Sequence, residues 1–159
     1  AAGIPGTGVT LVDLNPARAT LAAALGCGFA APEAAPADCD VVIHASATAP
    51  GLATAISLAG QEATVVEASW FGDRPVTLPL GGAFHAQRLR IIASQVGHVA
   101  RPKRASTNHA RRRALALQAL ADPRFDLLLG PRVAFEALPA ELPGLLEENP
   151  HPPHIVVTY

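Results

Sequence analysis

Residues 9–25 read VTLVDLNPARATLAAAL, and the order of residue types in that stretch decides the fold. Val9 to Val12 is a β-branched and aliphatic run, which reads as a buried strand. Asp13 closes it. Asn15 offers an N-cap side chain, and Pro16 suits the first helical position, where a backbone N–H would have no partner anyway. ARATLAAAL is strongly helix-forming, and Gly26 supplies a left-handed stop. The stretch predicts a strand, a turn and a helix.

The unit recurs. Residues 40–46, DVVIHAS, form a second apolar run; Thr48 or Ala49 precedes Pro50, and GLATAISLA predicts a helix ending at Gly60. Residues 63–69, ATVVEAS, predict a third strand, and residues 90–96, RIIASQV, a fourth after the turn-rich WFGDRPVTLPLGG. A short strand is expected at residues 28–30, before a Pro/Ala loop. Apolar strands alternating with helices predict an α/β fold with a parallel sheet covered on both faces. The texture changes after Gly97. HARRRALALQALAD predicts a helix capped by Thr107 or Asn108 and stopped at Pro123. Prolines break RFDLLLGPRVAFEALPAELPGLLEENPHPPH into short elements, and IVVTY closes the chain as a strand. A boundary is expected near residue 98, dividing residues 1–97 from residues 98–159.

With 159 residues, half of them hydrophobic, the chain suits one compact domain with a sizeable core. A net charge of −1 gives no whole-molecule argument for nucleic acid or an anionic membrane. No apolar run reaches the roughly 18 residues of a membrane span, and no signal-peptide pattern is visible. The first residue is Ala, so the chain is expected to be a processed or truncated piece. Cys27 and Cys39 are too few for a disulfide framework and point to a reduced, cytoplasmic setting.

Asp13 has two readings. In a dinucleotide-binding fold, an acidic side chain at the end of the second strand accepts hydrogen bonds from the adenosine ribose and repels a 2′-phosphate, selecting NAD over NADP. Equally, D-x-N-P is good turn chemistry. A phosphate cradle follows the first strand, with the acidic residue about 20 residues on. Gly3, Gly6 and Gly8 lie too close to Asp13, on the wrong side of its strand. They are expected in a helix-to-strand loop, with the first strand and its glycine-rich turn upstream of Ala1.

Taken together, VTLVDLNPARATLAAALGCGFA, then DVVIHASATAPGLATAISLAGQEATVVEASWFGDRPVTLPL, then RLRIIASQVG resemble the cofactor domain of the medium-chain dehydrogenase/reductases, the zinc-type alcohol dehydrogenase group. The order of motifs is the specific feature, and it covers nearly the whole chain. The resemblance implies a Rossmann-type doubly wound parallel sheet and a C-terminal segment returning to a catalytic domain. It implies an NAD-dependent oxidoreductase acting on an alcohol/carbonyl pair. Asp13 would hold the adenosine ribose, with Arg18 beside it. Ala45 and Ser46 would line the cofactor groove; Ala68, Ser69, Trp70, Ser94 and Gln95 would border the nicotinamide side. His154 would lie near the pyrophosphate. Independently, Asp13, Ser46, Ser69 and Gln95 fall at strand carboxyl ends, where open α/β sheets bind ligands; taken singly, Ser46 and Ser69 read better as capping or turn residues. The resemblance also implies a dimer formed by pairing the edges of the strand at residues 90–96.

The departures are equally specific. The family's zinc ligands lie in an N-terminal domain. Here no Cys-x-x-Cys or His-Glu-x-x-His occurs, so zinc is expected only in an intact protein, with no ligand from this chain. The six histidines are scattered and read as surface or core residues. Arg101, Lys103, Arg104, Arg111, Arg112 and Arg113 form a basic run without interleaved aromatics, read as a solvated helix start rather than a nucleic-acid contact. The other class of function is a non-catalytic fragment or association module.

Overall fold

The computed structural model describes residues 7–146 and 154–159. The expectations placed on Gly3 and Gly6 lie outside them. In chain order the elements begin with β1 (Thr10–Val12), α1 (Arg18–Ala24), β2 (Gly28–Ala30), β3 (Cys39–His44), α2 (Ala49–Leu58) and β4 (Ala59–Glu67). They continue with α3 (Gly82–Ala86), β5 (Arg90–Ala93), α4 (His109–Leu120), β6 (Leu129–Ala134), α5 (Leu138–Leu146) and β7 (His154–Thr158). Among these helices none is long and apolar enough to cross a membrane.

The fold is mixed α/β, and every strand pair described is parallel. The strands form three sheets, ordered β1-β2, β3-β4-β5 and β6-β7. Two compact units result, one of residues 32–109 and one of residues 1–31 with 110–159.

In the unit of residues 32–109, Val42, Val65 and Ile91 stand in register across the three strands and share one face. Leu52, Ala55 and Ile56 of α2 pack with that face, together with Ala59, Ala63 and Leu89, and Val65 is fully buried. A 10-residue helix is marginal alone, and burying a Leu or Ile contributes about 1.5–3 kcal/mol, so packing holds α2 in place. Thr48 caps it, its hydroxyl accepting from the Gly51 amide at 3.1 Å.

The opposite face corrects an expectation. Ile43, Val66 and Ile92 are in register there, and Val41 lies on the same side of β3. Val41, Ile43 and Ile92 are 58%, 68% and 49% exposed and Val66 is half-buried, so among the described residues the sheet is covered on one face and largely exposed on the other. The alternation that buries one row on α2 turns the next row outward. Gly60, expected to stop α2, instead lies in β4, because the chain passes from Leu58 directly into extended backbone at Ala59. β5 ends at Ala93, short of the expected Val96.

In the other unit, β1 leads into α1 as expected, but the helix starts two residues beyond Pro16. Asn15 is not the N-cap; its side chain accepts from the Ala17 amide at 2.9 Å within the turn. Gly26 terminates the helix at φ 75°, the left-handed conformation expected of it. α4 has no buried residue. β6 and α5 fall in the stretch where only short elements were expected, and β7 pairs with β6.

Candidate functional site

Because β3, β4 and β5 are parallel and in register, their carboxyl ends emerge along one edge. His44, Glu67 and Ala93 stand side by side there. Two further bonds extend the ladder, from the Ala68 amide to the His44 carbonyl at 2.9 Å and from the Ser94 amide to the Glu67 carbonyl at 2.8 Å. This edge brings together Ala45, Ser46, Ala68, Ser69, Trp70, Ser94 and Gln95. All but the half-buried Ser69 are exposed.

One polar network is built into that edge, and two of its principal members were not foreseen. His44, only 5% exposed, is the buried polar residue among those described. Its Nδ1 meets Glu67 Oε2 at 2.6 Å and its Nε2 meets Ser46 Oγ at 2.7 Å. Ser46 Oγ lies 2.9 Å from Thr48 Oγ1. The other carboxylate oxygen, Glu67 Oε1, accepts from the Ser69 amide at 2.7 Å and from the Ser69 hydroxyl. Phe71 stacks on the imidazole at 6.0 Å between ring centroids.

Burial alone would raise the Glu67 carboxyl, but hydrogen bonds from Ser69 and His44 outweigh it and hold the group below its ordinary 4.5. An ionised carboxylate only accepts, so His44 Nδ1 carries a proton. In the tautomer that carries its proton on Nδ1, Nε2 accepts from Ser46. Gly51 closes the arrangement. A Cβ there would press on Ser46 Oγ and lie 2.8 Å from Thr48 Oγ1 and 2.9 Å from His44 Nε2. Only a residue without a side chain lets the first turn of α2 approach so closely.

The remaining expected residues lie in the other unit. Asp13 stands at the carboxyl end of β1, where its amide donates to the Ala30 carbonyl at 3.2 Å. Its Oδ1 accepts from the Asn15 amide at 2.8 Å, so the turn reading is realised in the geometry. Arg18 opens α1, close in sequence to Asp13. His154 is exposed at the start of β7 and belongs to a different sheet from Asp13. Among the described residues no three His, Cys, Asp or Glu side chains converge as a metal centre requires, and Cys27 and Cys39 are both free thiols. An open cleft of about 410 Å³ lies along α2, lined by Ala53, Ile56, Ser57, Pro79, Gly81, Gly82 and Ala83, away from the His44 network.

The missed pair had a faint signal. DVVIHAS and ATVVEAS each place a titratable residue two positions before a terminal serine. Parallel pairing in register brings His44 opposite Glu67.

Parallel strands joined through helices define the class of open α/β folds, whose strand carboxyl ends lie along one edge. Within that class the chain is similar to solved dehydrogenases. It superposes on 2R,3R-butanediol dehydrogenase from Bacillus subtilis with a TM-score of 0.72 at 16% identity, over 96% of this chain and 44% of that one. A short chain alcohol dehydrogenase from E. coli CFT073, complexed with NADH, gives 0.73 at 14% identity, over 96% and 45%. A protein assigned as a zinc-binding dehydrogenase from Sinorhizobium meliloti 1021, bound to NADP, gives 0.65 at 20% identity, over 86% and 41%. The chain thus spans less than half the length of these structures, and the likeness is one of fold. No protein-family model and no curated protein matches the sequence.

Proposed function

We propose that this chain is the cofactor-holding part of an NAD-dependent oxidoreductase acting on an alcohol/carbonyl pair, similar to zinc-type alcohol dehydrogenases. The observation that carries the reading is the shared carboxyl edge of β3, β4 and β5. There, exposed Ala45 and Ala68 leave room for a ligand, while Ser46, Ser69, Ser94 and Gln95 offer hydrogen bonds. Exposed Trp70 adds an aromatic face for a heterocycle. These groups fit a dinucleotide. When bound, NAD would accept or supply hydride.

In this reading Asp13 holds the adenosine ribose, with Arg18 beside it, and His154 serves the pyrophosphate. Asp13 is competent for this because the Asn15 amide engages Oδ1 and fixes the side chain at the strand end. Residues 1–97 form the cofactor portion and residues 98–159 lead toward a catalytic domain, in a cytoplasmic enzyme. The doubly wound arrangement of this reading asks for one further strand, and among the described strands β1 pairs only with β2 and β3 only with β4, so each has an edge free to take one. The described residues do not fit zinc, so their contribution is to bind and orient the coenzyme. Titrating the full-length protein into NADH and following coenzyme fluorescence tests the proposal: saturable binding is expected, and its absence in a folded sample overturns it.

The second reading is an association module without dehydrogenase activity, favoured by the exposed Val41, Ile43 and Ile92. A homodimer through the β5 edge is compatible with either reading, because β5 pairs only with β4 among the described strands. An association module binds no NADH, which separates the two.

A further inference from the structure

We infer that Ser46, His44 and Glu67 form a nucleophilic triad able to take an acyl group from a small activated carboxylic ester. The inference stands on the triad geometry and does not depend on the dinucleotide reading. A serine nucleophile needs a base within hydrogen-bond reach and a third group that orients the base. Both relations are present, Ser46 Oγ to His44 Nε2 at 2.7 Å and His44 Nδ1 to Glu67 Oε2 at 2.6 Å, and the Ser69 amide donates to the other carboxylate oxygen at 2.7 Å.

The surroundings divide the roles. His44 is buried against Phe71 and Glu67 is largely buried, so the imidazole is held in one orientation with its proton on Nδ1. Ser46 is an exposed residue in a turn at the strand edge, its Oγ between His44 Nε2 and Thr48 Oγ1, and an acyl donor would approach it from the solvent side. Ser46 sits in the turn between β3 and α2, followed by Ala47 at φ 52°, a left-handed conformation that costs a non-glycine residue about 1–3 kcal/mol. That turn directs the serine onto the first turn of α2, where the approach of Gly51 shows the contact to be close. The positive end of the helix there favours negative charge developing beside Ser46.

The chemistry balances without any further reactant than water. His44 Nε2 takes the Ser46 Oγ proton as the Oγ–carbon bond forms. The bond from that carbon to the leaving oxygen then breaks, and the leaving alkoxide receives the proton from Nε2. The products are acyl-Ser46 and an alcohol. Water next attacks the acyl carbon, giving its proton to Nε2; the acyl–Oγ bond breaks, Ser46 regains its proton, and a carboxylic acid leaves. Ser46 and His44 are the catalytic residues and Glu67 is a positioning residue.

The test exposes the full-length protein to a reporter-tagged fluorophosphonate and, separately, to p-nitrophenyl acetate. Labelling is expected on the Ser46 peptide by mass spectrometry, with a burst of p-nitrophenolate approaching one equivalent. Ser46→Ala abolishes both. His44→Gln and Glu67→Gln slow labelling at least tenfold, with folding verified by circular dichroism. Glu67→Gln keeps the side-chain shape, so slower labelling in a folded Gln variant reports positioning rather than collapse. Absence of Ser46 labelling in folded protein, or labelling at the parent rate in a folded His44→Gln variant, overturns the inference. Protection of Ser46 by NADH is a separate arm that bears on the dinucleotide reading alone.

Discussion

His44 and Glu67 lie on neighbouring parallel strands as direct register partners, and their side chains meet at 2.6 Å. A charge-assisted bond of that length, with one partner buried, is worth more than a surface ion pair. Glu67→Gln removes the charge while keeping the shape. We expect a loss of about 1–3 kcal/mol, the cost of an imperfectly satisfied buried donor, read as a lower urea midpoint at unchanged slope. An unchanged midpoint would show that the pair contributes nothing to the fold.

The same carboxylate gives a pH dependence of known sign. Its folded value lies below the ordinary 4.5. The unfolded chain therefore binds the proton first on acidification. The stabilisation is fully present above about pH 4.5 and is lost as pH falls through the lower folded value. In the Gln variant that part of the acid slope disappears. Parallel urea melts of parent and variant from pH 6 downward measure it, and a constant difference across the range would contradict the shift.

Gly51→Ala pits two effects against each other. Alanine is the better helix former by about 1 kcal/mol. The new Cβ, however, would press on Ser46 Oγ and lie 2.8 Å from Thr48 Oγ1 and 2.9 Å from His44 Nε2. Overpacking of this kind costs about 1–3 kcal/mol, so the net effect is destabilising. The Ser46–His44 bond breaks as well, and serine labelling slows. A variant as stable and as reactive as the parent would mean that the turn relaxes freely.

Much of the fold was legible because it rests on local patterns. The runs at residues 9–12, 40–46 and 63–69 are β-branched and bounded by turn residues, and each carries a strand. The Gly26 stop follows from backbone chemistry that does not depend on tertiary context. The boundaries that moved did so for tertiary reasons: β4 begins at Ala59 because Ala59 and Gly60 are already buried in the sheet. The His44–Glu67 pair left only the faint signal of two similarly placed titratable residues. A histidine in an apolar run has no meaning until strand register sets a partner beside it, and register is a property of the pairing. The uncovered Val41/Ile43 face was hidden similarly, since alternation shows which residues share a side but not whether anything covers it.

Ile56 tests the core of the 32–109 unit. It is among the largest fully buried side chains and faces the sheet from α2. Ile56→Ala should cost about 2–5 kcal/mol, the range for deleting a buried aliphatic side chain and leaving a cavity. Thermal melts followed at the helix band measure it. A loss below about 1 kcal/mol would mean that α2 settles into the space.

Asp13 carries the coenzyme preference in the proposed function, and its geometry allows the turn role to be separated from the charge. Oδ1 accepts from the Asn15 amide at 2.8 Å. Asp13→Asn keeps an oxygen for that bond and removes the negative charge; Asp13→Ala removes both. If the carboxylate grips a ribose, both variants weaken NADH binding by about tenfold, equivalent to about 1.4 kcal/mol. Both also narrow the preference over NADPH, because the repulsion of a 2′-phosphate is gone. Stability separates them: the Asn variant stays within about 0.5 kcal/mol of the parent, as surface changes do, while the Ala variant loses the turn bond. Fluorescence titrations with both reduced coenzymes, run beside urea melts, read all four quantities. An Asn variant with the parent's affinity and preference would reduce Asp13 to a turn residue, because the charge would then have no coenzyme to act upon.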